Sequence, residues 1–277
     1  MESKDKFIAF LDILGFKELT EASESGTGMS ISDLVNLTKL LGTVKDRKEY
    51  ELYGITVCPE SMTLSPNIDF QITQVSDCVV VSTEVSPGGV INLLDHCWKA
   101  IYRLLKQGIL VRGYVTRGLI CHTEDNFVGS GYNDAYENEK YVTVFKQKAD
   151  KRGTPFVEID KKVVLYINEI GDDCVKSIFH RFVECDGELV AMYPFKRLSH
   201  SFMNAGYLDK ENLNKVQESN QNIRNMLEEF KKKIFQHLDN SNDKAVQKSK
   251  YYLKALDREL EKCNELDNIL NKLIGPN

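Results

Sequence analysis

A near-continuous apolar run, Lys6-Phe7-Ile8-Ala9-Phe10-Leu11-Asp12-Ile13-Leu14-Gly15-Phe16, constrains this chain more than any other segment. Its apolar residues are consecutive rather than alternate, so it reads as a strand buried on both faces. One carboxylate, Asp12, interrupts the run, and Gly15-Phe16 follows where a strand would give way to a tight turn. Burying a carboxylate costs several kcal/mol unless it is paired or holds a metal. Asp12 is therefore either a cap for the next helix or an oxygen ligand presented to a hard cation.

A second stretch bears on that choice. Residues 67–82 read as two short strands meeting at Ser76-Asp77, a β-hairpin with an acid at its tip. Ser-Asp is ordinary turn chemistry. Two strand-end carboxylates, Asp12 and Asp77, are also what a two-metal site for phosphoryl chemistry requires. There the cations neutralise a triphosphate and stabilise both the attacking and the leaving oxygen.

The length of 277 residues accommodates one large domain, or one domain with an appendage. A formal net charge of -5 argues against non-specific nucleic-acid binding, which needs a basic face. The polar start Met1-Glu2-Ser3-Lys4-Asp5-Lys6 does not read as a signal peptide, and no apolar run is long enough to span a bilayer. Seven cysteines lack CxxC spacing and five histidines lack paired spacing. That pattern suits reduced thiols in the cytoplasm and makes zinc an unexpected metal.

Along the chain, a helix is expected from Lys17 to Ser25, broken at Gly26-Thr27-Gly28, and resuming at Ser30 with Leu34, Leu37, Leu40 and Leu41 on one side. Tyr50 to Val57 reads as a strand or extended segment ending at Cys58-Pro59. Pro87-Gly88-Gly89 opens a long amphipathic helix, Val90 to Lys106, which Gly108 ends. Ile109 to Cys121 is a long strand carrying Arg112 and Arg117, with Gly113 and Gly118 allowing close backbone approach. A turn at Asp125-Asn126 leads to a helix beginning near Tyr132. Phe156 to Asp160 is a strand, Val163 to Ile170 a helix, and Phe179–Cys185 with Glu188–Tyr193 an antiparallel pair around Asp186-Gly187. The order is β-α-β-β-α-β with additions, which is the ferredoxin-like α+β pattern.

From about Leu208 the composition changes. Leu213, Val216, Ile223, Met226, Leu227, Phe230, Ile234 and Leu238 keep helical spacing, as do Leu253, Leu256, Leu260, Cys263, Leu266, Leu270 and Leu273 beyond a polar turn at Asn240-Ser241-Asn242. Residues 206–277 are expected to form an αα-hairpin appended to a domain of residues 1–205.

Phe10-Leu11-Asp12-Ile13-Leu14-Gly15-Phe16, Ser76-Asp77, the strand from Arg112 to Gly118, and Gly129-Ser130-Gly131-Tyr132-Asn133, in this order, resemble the class III nucleotidyl cyclase catalytic domain. The likeness spans about residues 5–195. Within that family the segments look most like the pyrimidine cyclases of bacterial anti-phage (Pycsar) systems, down to the Asn133-Asp134-Ala135-Tyr136-Glu137 segment. The resemblance implies that Asp12 and Asp77, with the Ile13 carbonyl, hold two divalent ions, Mn²⁺ or Mg²⁺. Amides from Leu14, Gly15 and Phe16 would cradle the triphosphate at a helix start. Asn133 would orient the ribose from the other subunit of a homodimer. The product, a cyclic nucleotide, would reach a separate effector that senses it.

Two positions depart from the purine enzymes. Thr73 stands four residues before Asp77, where those enzymes carry a base-reading Lys, and Asn126 stands at the base-reading Asp position. Loss of those partners points to a pyrimidine, and the resemblance alone puts UTP before CTP. Glu137 replaces a transition-state Arg, so the cation would come from Arg112 or Arg117. Their odd spacing puts them on opposite faces of a strand, and Arg112 is taken as the inward one. Both arginines pairing with surface acids is the competing reading.

Overall fold

The structure is a computed structural model that describes residues 2–53, 68–147, 153–170, 172–198, 210–238 and 242–274. The chain divides into two compact units, residues 1–104 with 109–194, and residues 105–108 with 195–277. The boundary expected at 205 falls outside the described residues.

The first unit is a mixed α+β layer. The strand β1 (Lys4–Ile13) leads to the helices α1 (Phe16–Glu24), α2 (Ile31–Thr38) and α3 (Val44–Tyr53). The hairpin β2 (Phe70–Val75) and β3 (Cys78–Glu84) precedes the long helix α4 (Pro87–Leu105). Then come β4 (Val111–His122), β5 (Phe127–Val128), α5 (Ser130–Glu139), β6 (Val157–Ile159), α6 (Lys161–Glu169), α7 (Asp173–His180), β7 (Val183–Asp186) and β8 (Leu189–Met192). Strands lie in the order β2-β3-β1-β4-β6-β8-β7, with β5 paired to β4 alone. The four strands at the β2 end are mutually antiparallel, and β6 joins β4 in parallel.

Central position explains why β1 is apolar from Phe7 to Leu11: it has a strand on each side and a packed layer on each face. Phe7, Ala9, Leu11 and Ile13 enter the main core beneath α2, α4, α6 and α7. Ile8 and Phe10 enter a smaller core with Val80, Ile120 and Ala135, which α5 covers. Gly131 of α5 lies directly on Gly118 of β4, where a methyl on Gly118 would stand 2.9 Å from the Gly131 Cα. α4 begins with Pro87 at its first position, which has no N–H to satisfy, and the Ser86 hydroxyl accepts from the Gly89 amide at 3.0 Å.

Two sequence expectations are corrected. Tyr50 to Tyr53 end a helix rather than start a strand, because Tyr50 packs inward on Phe70 and donates to Asp95 at 2.8 Å; the rest of that segment, with Cys58-Pro59, lies outside the described residues. Phe179 closes α7 instead of opening a strand, since Asp172 accepts from the Cys174 and Val175 amides and starts a helix there. The strand begins at Val183.

In the second unit, α8 (Lys210–His237) and α9 (Asp243–Ile274) pack antiparallel. Asn220 donates to the Cys263 carbonyl at 2.9 Å, and Lys231 to Asp257 at 2.6 Å. Most of the connecting turn expected at Asn240-Ser241-Asn242 lies outside the described residues. Among the described residues no helix is long and apolar enough to cross a membrane.

Candidate active site

The ends of β1 and of the β2–β3 hairpin meet. Asp12 stands opposite Cys78 on β3 and opposite Arg112 on β4, so all three side chains share one face of the sheet. The Ile13 amide donates to the Asp77 carbonyl at 3.0 Å, which ties the hairpin turn to the residue after Asp12. Ser76 takes a left-handed φ of 54° in this two-residue turn, a conformation that non-glycine residues seldom adopt. Asp12, near the end of β1, and Asp77, in the β2–β3 turn, are thereby held at one corner. The electrostatics agree: the Cys78 thiol is pushed up to about 11, first by burial, then by the charges of Asp12, Asp77 and Glu139.

Among the described residues no group of three or more His, Cys, Asp or Glu side chains is arranged to hold a metal ion. Two carboxylates at a half-open corner fit a hard divalent ion of the magnesium type, whose remaining positions are filled by water and phosphate oxygens. They do not fit a closed, all-protein cage. The Ile13 side chain belongs to the main core, so only its carbonyl could join such a set.

Beyond this corner the chain turns sharply into α1. Leu14 donates its amide to the Leu110 carbonyl at 2.9 Å. Gly15 adopts a φ of +78°, and the nearest atom to a methyl there would be Glu18 Oε2 at 3.9 Å. Conformation rather than space therefore calls for glycine. No side chain caps the first turn of α1, which starts at Phe16 with an exposed Gly15 before it. Glu18 lies in that turn.

Arg112 and Arg117 do lie on opposite faces. Arg112 shares the Asp12 face, where its guanidinium is bound to the buried carboxylate of Glu139 at the end of α5. Arg117 sits on the other face, paired with Asp5 at 2.7 Å and stacked 5.7 Å from the centre of the Tyr166 ring. The surface-acid reading thus describes Arg117, while the partner of Arg112 is buried. On α5, Gly131, Ala135 and Glu139 face inward, and Asn133 and Glu137 are exposed. Asn126 is exposed in the turn between β4 and β5, its amide bonded to the Thr123 hydroxyl at 3.2 Å.

Thr73 lies on the Asp12 face, across from Val80, which in turn faces Phe10. Its hydroxyl meets His122 Nε2 at 3.0 Å, and His122 Nδ1 meets the buried Ser82 hydroxyl at 2.8 Å. Burial, and then the Lys6 ammonium, push His122 down to about 4; Lys6 is itself paired with Asp69 at 2.8 Å. His122, Ser82 and Glu139 were not singled out by sequence reasoning. His122 has no histidine at metal-ligand spacing, and its one available signal was its alternation with Ile120 on a strand.

No family model matches the chain, and no curated protein is similar to it. Among solved structures, the catalytic core of a rhodopsin-guanylyl cyclase with converted specificity, in complex with ATPalphaS, aligns with 61% of this chain and 83% of its own length. The identity is 13% and the TM-score 0.35. A likeness this slight settles neither family nor activity.

Proposed function

We propose that this protein is a nucleotidyl cyclase of the class III type that converts a pyrimidine triphosphate, UTP before CTP, into the 3′,5′-cyclic monophosphate and pyrophosphate. The observation that carries the reading is the corner where the Ile13–Asp77 backbone bond ties Asp77, in the β2–β3 turn, to the end of β1 that carries Asp12, beside an uncapped helix start. Asp12 and Asp77, with the Ile13 carbonyl, would hold two Mn²⁺ or Mg²⁺ ions. When bound, these lower the pKa of the ribose 3′-hydroxyl and offset the charge of the triphosphate. The amides of Leu14, Gly15 and Phe16 lie at the turn that would seat the phosphates; Leu14 already donates within the fold, so Gly15 and Phe16 contribute most. The 3′-oxygen bonds to the α-phosphorus as the bond to the bridging β-phosphate oxygen breaks, and the hydroxyl proton leaves to solvent. Asn133, exposed on α5, would orient the ribose from the partner in a homodimer. The cyclic product would then act in the cytoplasm on a separate anti-phage effector.

A second reading is a nucleotide-binding module without turnover. It is favoured by Glu137 at the place of a catalytic cation and by the engagement of Arg112 with Glu139. Incubating the purified protein with ATP, GTP, CTP or UTP and Mn²⁺, with products resolved by mass, separates the two. Cyclic UMP or cyclic CMP supports the cyclase. Binding with no cyclic product supports the module, and cyclic AMP refutes the pyrimidine assignment.

A further inference from the structure

Arg112 stands directly across from Asp12 in the β1–β4 register, with its side chain on the same face of the sheet. Residues opposed in this way have Cβ atoms about 5 Å apart, and opposite charges so placed ordinarily attract and pair. Arg112 instead has Glu139, the last residue of α5, as its one ion-pair partner among the described residues.

A carboxylate at position 139 is poorly placed for stability. Glu139 is 3% exposed, so its charge is withdrawn from water, and it closes α5, where the helix dipole is negative. A packed pair of apolar residues would join β4 to α5 at least as well as a buried ion pair. Stability therefore gives no reason for a charge here, but the neighbouring groups do. Cys78 lies opposite Asp12 on β3, and after burial the charges of Asp12, Asp77 and Glu139 raise its thiol. The field of Glu139 thus reaches the corner that the two aspartates share.

We propose that Glu139 is a positioning residue for the divalent ions: by binding the Arg112 guanidinium on the α5 side, it keeps that cation from the Asp12 carboxylate. This deepens the reading above and rests on its assignment of Asp12 and Asp77 to divalent ions. A guanidinium turned across the strand pair would compete with the ion for the same carboxylate oxygens, and its positive charge would repel the ion as well. With Glu139 in place the charge of Arg112 is cancelled, and the corner keeps the full charge of its two aspartates. Glu139 acts through Arg112 and needs no contact with the ion.

The test is Mn²⁺ binding to the full-length protein without nucleotide, read from the loss of the free-ion electron paramagnetic resonance signal. The wild type should bind Mn²⁺, and Asp12→Ala should lose that binding. Glu139→Gln should weaken it by about tenfold, the effect of one hydrogen bond between charged groups. Arg112→Met combined with Glu139→Leu, which removes guanidinium and carboxylate together, should bind Mn²⁺ as tightly as the wild type. A merely structural carboxylate would leave the affinity of folded Glu139→Gln protein unchanged, and that result overturns the proposal. Lost affinity in the double variant overturns it too, because the carboxylate would then be needed without the cation it restrains; this comparison holds even if Glu139→Gln does not fold. No Mn²⁺ binding by the wild type, or binding that Asp12→Ala leaves intact, overturns the divalent-ion reading and this role together.

Discussion

Mild acid is expected to destabilise the first unit through two imidazoles, His96 and His122, that burial keeps neutral. His96 and His122 are both held at about 4, against about 6.5 for an unperturbed histidine. For His96 burial is the main cause, opposed by the Asp46 charge and the hydrogen bond with the Leu41 carbonyl. Between pH 6.5 and 4 the unfolded chain binds two protons that the folded chain does not, so stability falls as pH falls and levels off near 4. A shift of this size corresponds to about 3 kcal/mol for each histidine over the whole window, and to about 2 kcal/mol each by pH 5. Together they would remove about 4 kcal/mol at pH 5, a large part of the 5–15 kcal/mol by which a domain is typically stable. Burial would raise the Asp46 carboxyl, but hydrogen bonds from Thr43 and Arg103 outweigh it and hold the group below its ordinary value. Its contribution is therefore lost only below the pH 5–6.5 window. The protein has one tryptophan, Trp98 on α4, whose indole donates to the Pro194 carbonyl at 2.8 Å within the first unit. Its fluorescence reports urea unfolding of that unit. Equal urea midpoints at pH 6.5 and pH 5 would refute the reasoning, as would a His122→Gln variant with the same pH slope as the wild type.

Other perturbations bear on the site. Gly131→Ala should destabilise the first unit by about 1–3 kcal/mol, because a methyl there meets Ile8 and the Gly118 backbone; thermal melting checks this. Glu139→Gln should cost about 3 kcal/mol in urea unfolding by leaving the Arg112 guanidinium unpaired, and Arg112→Met combined with Glu139→Leu should recover most of it. Asp12→Ala and Asp77→Ala should each abolish cyclic product while leaving the melting temperature nearly unchanged. Equal amounts of Asp77→Ala and Asn133→Ala protein, mixed and allowed to exchange subunits, should regain about a quarter of wild-type turnover if each site of a two-fold dimer draws on both chains. No recovery despite demonstrated exchange would place both residues in one chain's site.

What the sequence revealed, and what it hid, follows from the range of the interactions involved. β1 was legible because a strand buried on both faces must be apolar along its buried length, and Asp12 stood out as the one charge in the run after Lys6 opens it. α4 was legible from its apolar periodicity, its opening proline and its closing glycine. α3 was misread because Tyr50, Leu52 and Tyr53 suit a strand locally, whereas the Tyr50 hydroxyl is satisfied by an aspartate 45 residues away. The Arg112–Glu139 pair and the Ser82–His122–Thr73 chain depend on strand register and on how α5 docks. Neither of those is encoded in local spacing.

The Arg112–Glu139 pair also limits how the proposed chemistry can work. Asp12, Asp77 and Glu139 all act on the Cys78 thiol, and Arg112 stands across from Asp12 as their nearby cation. If Arg112 swung toward a substrate phosphate, Glu139, 3% exposed, would be left as a buried unpaired carboxylate, a change of about 3–5 kcal/mol in the unfavourable direction. That exceeds what one hydrogen bond to a charged group returns, about 1.5–3 kcal/mol. Arg112 is therefore better placed to hold β4 and α5 together than to follow the developing charge. Arg117 cannot substitute from the far side of the sheet. In the proposed reaction the charge of the departing pyrophosphate would then fall to the divalent ions at Asp12 and Asp77 and to groups of the partner chain. Turnover should accordingly depend more steeply on Mn²⁺ concentration than on the identity of residue 112.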